Sequence, residues 1–166
     1  MLKTKVLKFL LLFVAFFAFV LNANAMISSE SDMYRKLGQL KTIAQFDYLS
    51  LVNKNELIGY RLESFNMASS QYKNSANLVV ENFNNILSQI NTIRNSSDFS
   101  DSDKQMQISK LYQEADTILY NLDSQTINYL FSLRSFMPPI TYQRYLKKFQ
   151  AFYNELQLTN NEISVK

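Results

Sequence analysis

The chain has 166 residues, with 17 lysines and arginines against 14 aspartates and glutamates, no histidine and no cysteine. That composition excludes disulfides, cysteine nucleophiles, histidine-based triads and the usual zinc, copper and haem ligand sets. Two glycines and two prolines over this length favour long helices over short strands and tight turns.

The first 25 residues read as a secretory signal peptide. Lys3, Lys5 and Lys8 form a positive start, Phe9 to Leu21 is an unbroken apolar run of 13 residues, and Ala23-Asn24-Ala25 supplies the small residues of a cleavage site. A spanning helix needs about 20 apolar residues, so cleavage after Ala25 is expected in place of a membrane anchor. Removing the segment takes away three lysines and leaves 14 basic against 14 acidic residues over 26–166. The alkaline pI of the whole chain then belongs to the leader, and no positive excess remains to recruit nucleic acid or an anionic membrane. The remaining 141 residues suffice for a single domain, which without cysteine must be held by its hydrophobic core alone. The abundance of Asn, Lys, Ile, Tyr and Phe suggests an A/T-rich genome, and the expected setting is the bacterial envelope, periplasmic or secreted.

At about 100° per residue, Met33, Leu37, Leu40, Ala44, Tyr48, Leu51, Ile58, Leu62 and Phe65 fall on one stripe, which predicts a first helical region over 33–65. Gly59 costs a helix about 1 kcal/mol relative to alanine, so this region is either one long helix kinked there or two shorter ones. A turn is expected near Ala68-Ser69-Ser70, where a serine supplies an N-cap. A second helix follows over 72–93, with Tyr72, Ala76, Val79, Phe83, Ile86, Leu87, Ile90 and Ile93 inward and Asn74, Asn77, Asn82, Asn84, Asn85 and Asn91 opposite. Asparagine is a mediocre helix former, so this helix needs tertiary packing to persist.

The stretch NSSDFSDSDK is a loop in which Ser100 or Asp101 caps a third helix, with acids favouring its positive end. That helix is expected from about Ser102 to Phe136. Pro138 and Pro139 stop it, and Thr141 is the expected cap of a fourth. On the fourth helix Tyr142, Tyr145, Leu146, Phe149, Phe152, Tyr153 and Leu156 cover an arc of about 120°, with Arg144, Lys147 and Lys148 pointing away. Single-strand nucleic-acid binders set stacking aromatics inside a basic groove; here the two classes separate, so the aromatic face is expected to be core. The expected fold is all-α, a bundle or elongated hairpins of about four long amphipathic helices over 26–166.

No residue is nominated as catalytic, metal-binding or cofactor-binding, and the chain is expected to be no enzyme and to need no cofactor. Two glycines 21 residues apart make no phosphate loop. Glu56 and Glu63 share a face about two turns apart and read as solvated acids. Asp98, Asp101 and Asp103 do not frame a calcium loop, because positions six and twelve are Asp103 and Ser109 from Asp98, and Met106 and Tyr112 from Asp101.

One feature exceeds what a single core needs. Tyr120, Ile127 and Phe131 form a second apolar stripe on the third helix, nearly opposite the main one, and Phe46, Leu49, Leu57, Tyr60 and Met67 do the same on the first. A helix apolar on two sides buries both or presents one to a partner. Either these helices are central in the bundle or pair in an antiparallel homodimer, or the stripes bind unfolded polypeptide or another envelope protein. The candidate partner-binding residues are Tyr120, Ile127, Phe131, Phe46, Leu49 and Tyr60, with Tyr120 and Phe131 as anchors.

Leu158-Thr159-Asn160-Asn161-Glu162, Ile140-Thr141-Tyr142-Gln143 and Phe99-Ser100-Asp101-Ser102-Asp103 resemble the Leu-Thr-x-x-Gln segments of the Spy/CpxP family of periplasmic stress chaperones. The first has glutamate for glutamine, the second its glutamine one residue early, and the third only the hydrophobic-then-hydroxyl opening. A hydroxyl residue followed three positions later by Glu or Gln is also a generic capping box. The resemblance implies an elongated dimer that holds unfolding clients without ATP. The expected function is that of an exported helical protein acting through protein contacts, as a periplasmic chaperone-like or stress-adaptor protein. The alternative is a secreted structural or host-directed interaction protein with one defined partner. A carrier of small apolar ligands would require a closed pocket between the helices.

Overall fold

The computed structural model describes residues 26–158; the expected leader over 1–25 and all but the first residue of the segment 158–162 lie outside the described residues. Four helices follow in order: α1 (Glu30–Gln45), α2 (Tyr60–Asn95), α3 (Asp101–Phe136) and α4 (Pro139–Leu158), with a 3-10 turn at Tyr48–Leu51. The described residues hold no strand. The all-α bundle of four helices is the fold that the patterning predicts.

Ser29 starts α1. Its hydroxyl accepts the Asp32 N–H at 3.1 Å, while the Asp32 carboxylate accepts the hydroxyls of Ser28 and Ser29 at 3.0 and 2.9 Å. Desolvation at Asp32 is outweighed by these bonds, and its carboxyl is held below its ordinary value.

Asp47 keeps the helix from continuing. Its carboxylate accepts the Leu49 N–H at 3.2 Å and its carbonyl the Ser50 N–H at 3.1 Å, a local bonding scheme that competes with the helical one. Asn53 then gives its N–H and its amide to the Glu56 carboxylate at 3.3 and 3.2 Å. Asn55 takes φ 69°, and Gly59 takes φ 55° with ψ −135°. The region 33–65 is therefore two helices separated by residues 46–59, and Gly59 is the N-cap of α2. The apolar period runs on across the break, but the carboxylates of Asp47 and Glu56 give backbone N–H groups other partners.

The turn expected at Ala68-Ser69-Ser70 does not exist, and α2 passes through it. Ser69 is buried, with its hydroxyl bonded to that of Tyr129 at 3.0 Å, so it is committed to the core and caps nothing. The third helix begins as its cap predicts, with the Ser100 hydroxyl accepting the Asp103 N–H at 3.2 Å. The fourth begins earlier than Thr141. Pro139 is its first residue, where a missing N–H costs nothing, and the Tyr142 N–H closes on the Pro138 carbonyl at 2.9 Å. Thr141 is buried inside the first turn.

A long antiparallel hairpin of α2 and α3 is the frame, its register set by Ser69 bonded to Tyr129 and Tyr72 bonded to Thr126 at 2.7 Å. Against it α1 runs antiparallel to α2, with Glu30 ion-paired to Arg94. The other end is closed by α4, where Arg144 pairs with Glu56 and Tyr145 bonds Tyr129 at 2.7 Å. The C-terminal parts of α1 and α4 meet: Gln39 Nε2 donates to the Leu156 carbonyl at 3.1 Å, and Phe46 stacks on Phe152 with centroids 3.8 Å apart. One continuous core joins all four helices. The aromatic face of α4 lies in it as expected, with Tyr142, Tyr145, Leu146 and Phe149 buried and Arg144, Lys147 and Lys148 exposed. At about 1.5–3 kcal/mol for each fully buried large apolar side chain, that face is what fixes α4 to the hairpin.

Candidate partner-binding surface

Residues 120, 127 and 131 all fall within about 40° on α3. Tyr120 is 61% and Phe131 42% exposed, and Ile127 is half-buried at the edge of the stripe. Every exposed side chain of α3 between Asp116 and Arg134 is uncharged. The aspartates in that span have other work, since Asp116 and Asp123 both act on Lys36 of α1. Asp116 also accepts the Ile27 N–H at 3.0 Å. Lys36 is buried, and burial pushes its ammonium below its usual pKa, with Arg35 adding to the effect and Asp123, Asp116 and Asp32 opposing it.

The stripe expected on the first helix does not form a face. Since α1 ends at Gln45, Phe46, Leu49 and Leu57 belong to an irregular segment and share no helical period. Phe46 is partly buried against Phe152 and Tyr48, and Leu57 is buried. Leu49 is 41% exposed on the 3-10 turn. Tyr60 opens α2 and is exposed, with the Arg61 guanidinium 5.6 Å above its ring and Arg61 Nε donating to its hydroxyl at 3.2 Å.

A different stripe emerges on α2. Tyr60, Met67 and Leu78 are all exposed, and their spacings of seven and eleven residues put them within about 20° of one another. An expected turn at 68–70 cuts this series in two, which is why the sequence reading does not join Leu78 to Met67. With Tyr72 and Thr126 marking the directions in which the helices face each other, the α2 and α3 stripes point to opposite sides of the hairpin.

Among the described residues no three His, Cys, Asp or Glu side chains converge, and no helix is long and apolar enough to cross a membrane. A cleft of about 670 Å³ at the closed end of the hairpin sets Ile27, Ile108 and Tyr112 beside Arg94, Asp101 and Lys104. Its charged lining is unlike the closed apolar pocket that a carrier requires. No protein-family model, curated protein or solved structure matches this chain.

Proposed function

We propose that the chain is an exported, non-enzymatic helical protein that works by contact with other proteins, as a periplasmic chaperone-like or stress-adaptor protein. The observation that carries this reading is the exposure of Tyr120 and Phe131 on a side of α3 where exposed charge is missing. Aromatic enrichment with charge depletion is what separates contact surfaces from ordinary solvated ones. The second stripe, Tyr60, Met67 and Leu78, gives the hairpin an apolar strip on its other side. Shallow strips on a rigid hairpin suit extended or unfolded polypeptide better than a small ligand. The leader-like sequence over 1–25 supports export.

The test is photocrosslinking in cells from position 131 and, separately, from position 67 of the exported protein. Adducts with many unrelated envelope proteins support a holding chaperone. One sharp foreign band replaces that reading with the dedicated interaction protein. Absence of adducts at both positions overturns the contact reading altogether.

A further inference from the structure

A groove of about 690 Å³ runs between α1 and the C-terminal part of α2. Its walls follow from the ion pair of Glu30 with Arg94. Because α1 leaves that pair antiparallel to α2, Tyr34, one turn on, comes about level with Asn91. Asn84, Asn91 and Asn95 line the α2 wall. Their spacings of seven and four residues hold them within about 40° on the helix and spread them over about 16 Å.

We propose that this groove is a binding site for an uncharged oligosaccharide. None of the described residues that line it is charged, and six of the eight carry a side-chain amide or an aliphatic hydroxyl. A charged ligand finds no counter-ion there. An apolar one finds little beyond the Tyr34 ring and Leu87, which is buried beneath the amides. Among the described residues no hydrogen bond takes up the amides of Asn84, Asn91 or Asn95, so each keeps one acceptor and two donors for a ligand. Thr92 completes the set as an acceptor, since its hydroxyl proton goes to the Ser88 carbonyl at 3.0 Å.

A sugar presents neighbouring hydroxyls, each both donor and acceptor, and a planar amide meets such a pair with its carbonyl and its NH2 together. The ring C–H groups of a sugar form its other surface, and they pack on an aromatic face. Tyr34, exposed on α1, offers that face with a polar tip. An unfolded polypeptide gains chiefly by burying apolar side chains, which this wall does not accept and the stripes on α2 and α3 do. Asparagine is a mediocre helix former, so the amide stripe costs α2 helical stability while adding nothing to its core. With one aromatic platform and an open wall, the expected affinity is weak, in the millimolar range.

The test is titration calorimetry of the exported protein with maltotriose and, separately, with N-acetylchitotriose. Binding of at least one is expected, and selectivity for the second would assign the amides to acetamido groups. Tyr34→Ala is expected to weaken binding about tenfold, and Tyr34→Phe, which keeps the ring, to leave it nearly unchanged. Asn91→Ala is expected to weaken it about fivefold. Asn85→Ala, on the same helix but outside the lining, is expected to have no effect. All three positions are exposed, so helical circular dichroism should not change. Absence of binding to both sugars at millimolar concentrations would overturn the proposal. So would binding that survives Tyr34→Ala, or that falls as much with Asn85→Ala as with Asn91→Ala. Displacement of the sugar by an unfolded polypeptide would likewise overturn it and give the groove to protein contacts. Crosslinking from position 131 does not depend on this groove, so the two readings fail separately.

Discussion

Tyr72 and Thr126 meet across the α2–α3 hairpin through a hydrogen bond of 2.7 Å, shut off from water. The Tyr72 hydroxyl also meets that of Tyr153 on α4, and Thr126 returns its own to the Leu122 carbonyl at 2.9 Å. One turn away, Ser69, Tyr129 and Tyr145 make a second chain of hydroxyls through α2, α3 and α4. Apolar packing alone tolerates sliding of one helix past another. Hydroxyls paired across three helices do not, because a slip strands several buried polar groups at once. These two chains are what set the hairpin register.

Thr126→Val keeps the shape of the side chain and removes the bond to Tyr72. The expected loss is about 1–3 kcal/mol of unfolding free energy, read from urea denaturation. A loss below about 0.5 kcal/mol would mean that packing, and not the hydroxyl chain, sets the register.

The same tyrosines make the fold sensitive to alkali. Burial pushes the hydroxyls of Tyr129 and Tyr142 up to about 12, and those of Tyr48, Tyr72, Tyr145 and Tyr153 well above the ordinary tyrosine value. An unfolded tyrosine titrates near 10. Between these values the unfolded chain has released protons that the folded chain still holds, so stability is intact below about pH 10 and falls as pH rises through 10–12. Each buried tyrosine contributes a slope of about 1.4 kcal/mol per pH unit in that window. Helical circular dichroism and tyrosinate absorbance, followed together, are expected to change in one cooperative step. Tyrosinate formation at the buried positions without loss of helix would contradict this.

Lys36 works in the opposite direction along the pH axis. Its burial, with Arg35 beside it, lowers the ammonium pKa despite Asp123, Asp116 and Asp32. A lysine that binds its proton more weakly when folded reduces stability at neutral pH, and the deficit is relieved as pH rises toward the unfolded value near 10.4. Lys36→Met keeps the stem packed and removes the charge. It is expected to stabilise the protein by about 1 kcal/mol at pH 7, with the gain shrinking by pH 10. A loss at pH 7 would show that the aspartates more than offset the burial.

Phe131 and Phe149 are both helical phenylalanines with opposite expectations. Phe149 is fully buried, and Phe149→Ala is expected to cost about 3–5 kcal/mol. Phe131 is 42% exposed, and Phe131→Ser is expected to leave helical content intact and cost well under half as much. A cost comparable to that of Phe149→Ala would show that Phe131 is core and remove it as an anchor.

Most of the helical content and the core face of α4 were legible because the apolar period survives in every long helix. The third helix was legible to its first turn, where the hydroxyl of Ser100, one of the two expected caps with Asp101, takes the Asp103 N–H. What misled was the converse case, in which the period continues where the helix does not. Asp47 and Glu56 break the helix by taking the backbone N–H groups of Leu49 and Asn53, and no apolar count registers that. Ser69 misled in the other direction: a serine beside a serine looks like a cap, and only the tertiary partner Tyr129 shows why it is interior. The candidate surface divided along the same line. The α3 stripe lies on an unbroken helix, whereas Phe46 and Leu49 were assigned a helical face that Asp47 abolishes.

The two glycines separate backbone strain from steric space. A Cβ added at Gly38 or at Gly59 meets nothing within 4 Å, so neither substitution clashes. Gly38 lies inside α1, where alanine is the better helix former by about 1 kcal/mol, and Gly38→Ala is expected to stabilise. Gly59 takes φ 55° with ψ −135° as the N-cap of α2, a conformation that only glycine adopts without strain, and Gly59→Ala is expected to cost about 1–3 kcal/mol. Measured together by urea denaturation, the pair should differ in sign. If Gly59→Ala also stabilised, α2 would extend back through residue 59, and the break between the first two helices would be shorter than residues 46–59.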